Sequence, residues 1–133
     1  MNINLFVNKK FLKDKYVKEA FDDYTKRCSK FVTIKILDVL NESLLSESTS
    51  YNINVSTSGK YIDSIELSNI INFCSLNRFK NINIIFSCDK EEFLKNSICF
   101  FNIDICHTGF LYVMVMEQIY RGYKIINNEP YHK

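Results

Sequence analysis

The chain has 133 residues, 47% of them apolar and 24% charged, which fits one domain over residues 1–133 rather than two. Seventeen isoleucines, 14% aromatic residues, one proline and three glycines exclude the disordered, collagen-like and linker-rich classes. Its longest purely apolar runs, such as Tyr112–Met116, are far shorter than a membrane span, and no charged leader precedes an apolar stretch, so a soluble, cytoplasmic protein without a membrane partner is expected.

Five cysteines (Cys28, Cys74, Cys88, Cys99 and Cys106) stand singly, with no CxxC pair, and read as reduced, mostly buried thiols. The one close group of metal-type ligands, Cys99, Asp104, Cys106 and His107, lacks the paired spacing of a zinc site, and no metal is expected. Net charge is only +2, but residues 1–35 hold nine Lys or Arg against four Asp or Glu. Lys9, Lys10, Lys13, Lys15, Lys18, Lys26, Arg27 and Lys30 therefore offer clustered positive charge of the kind that phosphate contacts need, or else a solvated helix face.

Asn2–Val7 alternates polar and apolar residues and predicts a half-buried strand. Between Leu12 and Lys30, Tyr16, Val17, Ala20, Phe21, Tyr24 and Cys28 recur at spacings of three and four, which predicts an amphipathic helix. Phe31–Leu40 is rich in β-branched and aromatic residues, and the polar stretch Asn41–Ser50 reads as a loop. Tyr51–Thr57 predicts a strand ended by Ser58-Gly59-Lys60, and the apolar positions from Ile62 to Cys74 predict a helix that covers a sheet. Asn81–Phe86 has the nearly continuous apolar end of a strand buried on both faces, which points to parallel pairing. Asp89 begins a short acidic helix through Asn96, Ile98–Ile105 reads as strand, and Thr108–Arg121 as a long helix, followed by a final strand and a turn at Pro130. Alternating strands and helices predict an α/β domain with a mainly parallel sheet flanked by helices.

The last seventeen residues, Glu117-Gln118-Ile119-Tyr120-Arg121-Gly122-Tyr123 through Asn128-Glu129-Pro130-Tyr131-His132-Lys133, resemble the C-terminal signature of the RlmH family of SPOUT-class methyltransferases. The segments Lys13–Tyr16 and Tyr24–Arg27 are similar to that family's first helix, and Ser58-Gly59-Lys60, after a strand, to its LDxxGK turn. This resemblance covers nearly the whole chain. It implies a C-terminal trefoil knot, a homodimer with shared active sites, and S-adenosylmethionine as methyl donor to N3 of a pseudouridine in large-subunit ribosomal RNA. On the same resemblance, cofactor contacts fall on Val55, Ser87, Phe101, Asn102, Ile103, Asp104, Ile105 and Cys106. Ile103 and Ile105 read equally well as core strand residues. Tyr131 and His132 take the catalytic positions, since a phenol can hold a base and an imidazole can accept a proton near neutral pH. Arg121, Lys124 and Lys133 are the expected RNA contacts.

Three departures from the family pattern stand out. Ser87-Cys88-Asp89-Lys90-Glu91 replaces a glycine-rich loop, and added side chains there narrow a cofactor pocket. Counting back from Glu117, Tyr112 stands at a family arginine, and either His107 or Thr108 at a family histidine. The link from Leu40 to Tyr51 is short where the family carries an extra helix. With the glycines replaced, the alternative to an active enzyme is a degenerate RlmH-like protein that binds RNA or ribosomes without methylating.

Overall fold

Alternation along the first strand, β1 (Asn2–Phe6), divides the sheet into two unlike faces. The computed structural model describes residues 1–86, 97–99 and 108–130, less the side chains of Thr57 and Ser58. In chain order β1 leads through a 3-10 turn (Lys9–Leu12) to α1 (Lys15–Cys28), β2 (Thr33–Leu37), α2 (Glu42–Leu45) and β3 (Ser50–Tyr61). α3 (Ser64–Leu76), β4 (Asn81–Phe86), β5 (Ser97–Cys99) and α4 (Thr108–Ile126) follow. The five described strands form one sheet in the order β2-β1-β4-β3-β5, and every pairing is parallel.

On one face Ile3 and Leu5 of β1, Ile82 and Ile84 of β4, and Ile53 and Val55 of β3 are buried beneath three helices. α1 begins at Asp14, whose carboxylate accepts from the backbone N–H of Tyr16 (2.9 Å) and Val17 (3.1 Å). It turns Val17, Phe21 and Cys28 inward and its lysines outward. α3 is capped by Asp63, which accepts from Glu66 N–H at 2.8 Å, and buries Leu67, Ile71 and Cys74. α4 packs against both α1 and α3 through Val115, Met116, Ile119 and Tyr123. Each such side chain withdrawn from water contributes about 1.5–3 kcal/mol.

The opposite face is polar as well as buried. Asn4 and Asn83 are fully enclosed there, and Asn81 nearly so. Their amides form a row in which Asn4 Nδ2 donates to Asn83 Oδ1 (2.8 Å) and to Asn81 Oδ1 (3.1 Å). Asn83 Nδ2 donates to Asn52 Oδ1 (2.9 Å), and Asn52 Nδ2 to the Leu45 carbonyl (2.7 Å). Beyond the row, Phe6 and Ile85 pack against Leu45 of α2.

Several expectations need correction. Asn41–Ser50 is not loop throughout: Asn41 accepts from Leu44 N–H at 3.2 Å and caps a single helical turn, Glu42–Leu45. β3 does not end before Ser58-Gly59-Lys60 but runs to Tyr61. Both Val55 and Lys60 face Ile98 in the register, so residues 56–59 form an excursion and the strand then resumes its pairing with β5. Gly59 makes this possible, since a Cβ there would lie 2.6 Å from the backbone N and C of Ile98. The last helix does not stop at Arg121 but continues to Ile126, in place of the final strand expected before Pro130. The acidic helix expected from Asp89, most of the strand Ile98–Ile105 and the threading that would tie the knot lie outside the described residues.

Candidate active site

Parallel strands collect their loops at the carboxyl ends, and the order β2-β1-β4-β3-β5 makes one place there special. The chain leaves β1 for β2 on one side, and leaves β4 for β5 on the other, so a crevice opens between the ends of β1 and β4 where the connections diverge. Ligands of open α/β sheets bind at such points. A cavity of about 280 Å³ lies there, lined by Val7 and Asn8 after β1, Asp38 after β2, Ile85 and Phe86 of β4, and Tyr112 of α4. The Tyr112 hydroxyl accepts from the Asn8 backbone N–H at 3.0 Å, and the Phe86 ring meets Tyr112 edge-on at 4.7 Å. A larger cavity, about 440 Å³, lies instead between α3 and the flank of β3 and β5, lined by Tyr51, Ile53, Lys60, Glu66 and Ile98 among others.

Of the expected cofactor contacts, Val55 is described, and it pairs with Phe86 in register, buried beside the crevice. Ser87 and Phe101, Asn102, Ile103, Asp104, Ile105 and Cys106 lie outside the described residues, as do Tyr131, His132 and Lys133. His107 falls outside as well, while Thr108 opens α4. The described part fits a nucleoside cofactor in chemistry: Val55 and Phe86 pair in register on adjacent strands, and both apolar side chains pack in the hydrophobic core beside the crevice.

Arg121 is exposed on α4. Lys124 is mostly covered: its Nζ lies 2.7 Å from Glu129 Oε2 and sits over the rings of Tyr120 (5.5 Å) and Phe31 (5.9 Å). The hydrogen bond to Glu129 raises its pKa above the ordinary lysine value, against an opposing effect of burial. At the end of α4, Asn128 takes a left-handed φ of 53° and donates its N–H to the Ile125 carbonyl, while Glu129 N–H donates to the Lys124 carbonyl at 2.9 Å. These bonds form a Schellman cap that sets the direction in which the chain departs.

The basic residues of the N-terminal third are on the surface. Lys18 pairs with Asp22 and Arg27 with Asp23, each at 3.1 Å, whereas Lys9 is 4.0 Å from Asp38. Lys9 and Lys10 directly follow Asn8, whose side chain accepts from Lys10 N–H at 3.1 Å and caps the 3-10 turn at the crevice mouth. The buried thiols of Cys28 and Cys74 are inert by contrast. Burial raises the Cys28 pKa to about 12 and that of Cys74 to about 11. Among the described residues no group of His, Cys, Asp and Glu is arranged to hold a metal ion, and no helix is long and apolar enough to cross a membrane.

Sequence reasoning did not single out Asn8 or Phe86. Phe86 was legible only as the end of a buried strand, and the signal that marks both is topological, the divergence of two connections.

A parallel α/β sheet with its crevice at the carboxyl edge is one arrangement shared by many enzymes, and sequence comparison narrows it. A family profile described as "Predicted SPOUT methyltransferase" matches residues 1–132, and the chain belongs to the SPOUT methyltransferases, within them to the RlmH family. It is 32% identical to "Ribosomal RNA large subunit methyltransferase H" of Clostridium botulinum (strain Eklund 17B / Type B), and 30% identical to the protein so named in Clostridium tetani (strain Massachusetts / E88). Both alignments cover all of each chain and run over 161 positions, more than this chain has residues, so the relatives carry segments absent here. "Ribosomal RNA large subunit methyltransferase H 1" of Clostridium perfringens (strain SM101 / Type A) is 29% identical over 92% of this chain and 94% of its own.

Proposed function

We propose that this protein uses S-adenosylmethionine to methylate large-subunit ribosomal RNA, at N3 of a pseudouridine, as a cytoplasmic homodimer with a knotted C-terminal part. The observation that carries the reading is the full-length similarity to relatives named for that class of RNA. The switch-point crevice and the lysines at its mouth agree with it.

When bound, the cofactor would supply an electrophilic methyl group on a sulfonium, with a neutral thioether as the leaving group. Val55, Ser87 and residues 101–106 are the positions proposed to hold it. The acceptor N3 carries a proton, so the chain must take that proton as the N–C bond forms and must keep the ring in line with the breaking C–S bond. We assign proton acceptance to His132 and placement of the ring to Tyr131, with Arg121, Lys124 and Lys133 on RNA phosphates.

Chain geometry supports a dimer. Tyr112 at the crevice and Lys124 near the tail are twelve residues apart on one helix, about 18 Å. Glu129 is bonded back to Lys124, and the four residues that follow it extend at most about 14 Å of backbone. In the proposed dimer a second copy brings its tail to this crevice.

Methyl transfer from labelled S-adenosylmethionine to unmodified large subunits tests the reading, with calorimetric titration of the cofactor alongside. Transfer by the full chain, lost when Tyr131–Lys133 are deleted from a protein that still folds and dimerises, is the expected result. No cofactor binding at millimolar concentration would overturn the enzyme and leave RNA binding without methylation.

A further inference from the structure

We propose that the crevice between β1 and β4 receives a single pyrimidine base turned out of the RNA strand, with Phe86 as its stacking surface and Lys9 and Lys10 on the adjoining phosphates. This rests on the ribosomal RNA methyltransferase reading and assigns the acceptor a place beside, rather than among, the cofactor positions.

Size argues first. At about 280 Å³ the cavity lies just below the 300–1,000 Å³ that hold drug-sized molecules, a size that accommodates one base. Its chemistry is that of a base site. Phe86 is half-buried and lines the cavity, Tyr112 braces its ring edge-on, and Phe6, Ile85 and Leu40 complete an apolar wall. Stacking on an aromatic side chain is worth roughly a factor of ten or more per base.

The polar groups stand at the mouth. Asn8 and Asp38 offer amide and carboxylate atoms to the edge of a base, and both are exposed. Lys9 and Lys10 follow Asn8 on a turn whose cap fixes their backbone, and Lys13 is exposed just beyond. Positive charge beside an aromatic crevice is complementary to a flipped nucleotide, because the base enters while its phosphates stay outside. An uncharged metabolite would have no use for those lysines. Phe86 also immediately precedes Ser87, so a base stacked on it lies next to a proposed cofactor contact.

The full chain is titrated with uridine 5′-monophosphate and followed by NMR, with methyl transfer to large subunits measured on the same preparations. We expect the Asn8 amide and the Tyr112 ring to shift. Phe86→Leu, which keeps apolar volume, should weaken binding about tenfold, and Phe86→Tyr should restore it. Lys9→Ala with Lys10→Ala should weaken binding of an RNA stem-loop and flatten its salt dependence. Shifts confined to other residues, equal affinity in Phe86→Leu, or no shifts at millimolar nucleotide would overturn the proposal. If methyl transfer persists while Phe86→Leu alters neither nucleotide binding nor the KM for RNA, the crevice assignment falls alone. If the wild-type chain transfers no methyl group yet the nucleotide shifts Asn8 and Tyr112, the enzyme reading falls and the base site stands.

Discussion

Asn4 Nδ2 donates to Asn83 Oδ1 across 2.8 Å between two central strands, with both side chains sealed from solvent. A buried amide is costly unless its partners are present, so this contact ties β1 to β4 in one register. Asn83 is the hub of the row, accepting from Asn4 and donating to Asn52. Asn83→Ala should therefore cost about 1–3 kcal/mol, read as a lower urea midpoint. An unchanged midpoint would mean that the row contributes no net stability.

Gly59→Ala should be destabilising for a steric reason. The added methyl would meet the Ile98 backbone at 2.6 Å, and β5 must move to admit it. We expect a loss of roughly 1–3 kcal/mol and increased hydrogen exchange at Ile62, whose N–H donates to the Cys99 carbonyl. A midpoint equal to wild type would show that the strand yields freely.

Arg78→Gly should stabilise. Arg78 follows the C-cap of α3 with a φ of 60°, a conformation that costs a residue with a Cβ and suits glycine. The gain is expected at about 0.5–1 kcal/mol, and thermal unfolding measures it. Asn128, at a φ of 53°, should gain less on replacement by glycine because asparagine tolerates that region.

Stability should fall with alkali. In the unfolded chain the thiols of Cys28 and Cys74 ionise near the ordinary value of 9.0, whereas burial holds them protonated to about 12 and about 11. Above pH 9 the unfolded state thus binds fewer protons than the folded state, and stability declines through about pH 11 to 12. Urea midpoints at pH 8, 10 and 11 should fall in that order. Cys28→Ala and Cys74→Ala, weaker at pH 8 through lost packing, should show a shallower decline.

How much was legible depended on whether local pattern or tertiary contact decided the element. Asn81–Phe86 was readable to the residue because an uninterrupted apolar end has few uses other than a central parallel strand. The continuation of β3 past Gly59 was not, since glycine after a polar run signals a stop, and only the backbone of Ile98 reveals why the chain turns back into the sheet. The helix expected to end at Arg121 likewise continues, because Gly122 is buried against Ser68 and Ile71 of α3 and only that contact shows it. The tripeptide Asn-Ile-Asn occurs in β1, β3 and β4, and that repetition was the available sign of the amide row. For the active site, the C-terminal signature led to the family, which the full-length match bears out. The crevice itself follows from strand order, which no local pattern encodes.

The span of α4 bears on how defects combine. One end of this helix forms the wall of a crevice, while its other end, closed by the bonds of Asn128 and Glu129, sets the direction in which the tail departs. On the proposed pairing, a protomer lacking Tyr131–Lys133 keeps a sound crevice, and a protomer carrying Phe86→Leu keeps a sound tail. Each alone should be impaired. Unfolded together and refolded as mixed pairs, they should complement each other, because every mixed pair unites one sound crevice with the other chain's sound tail.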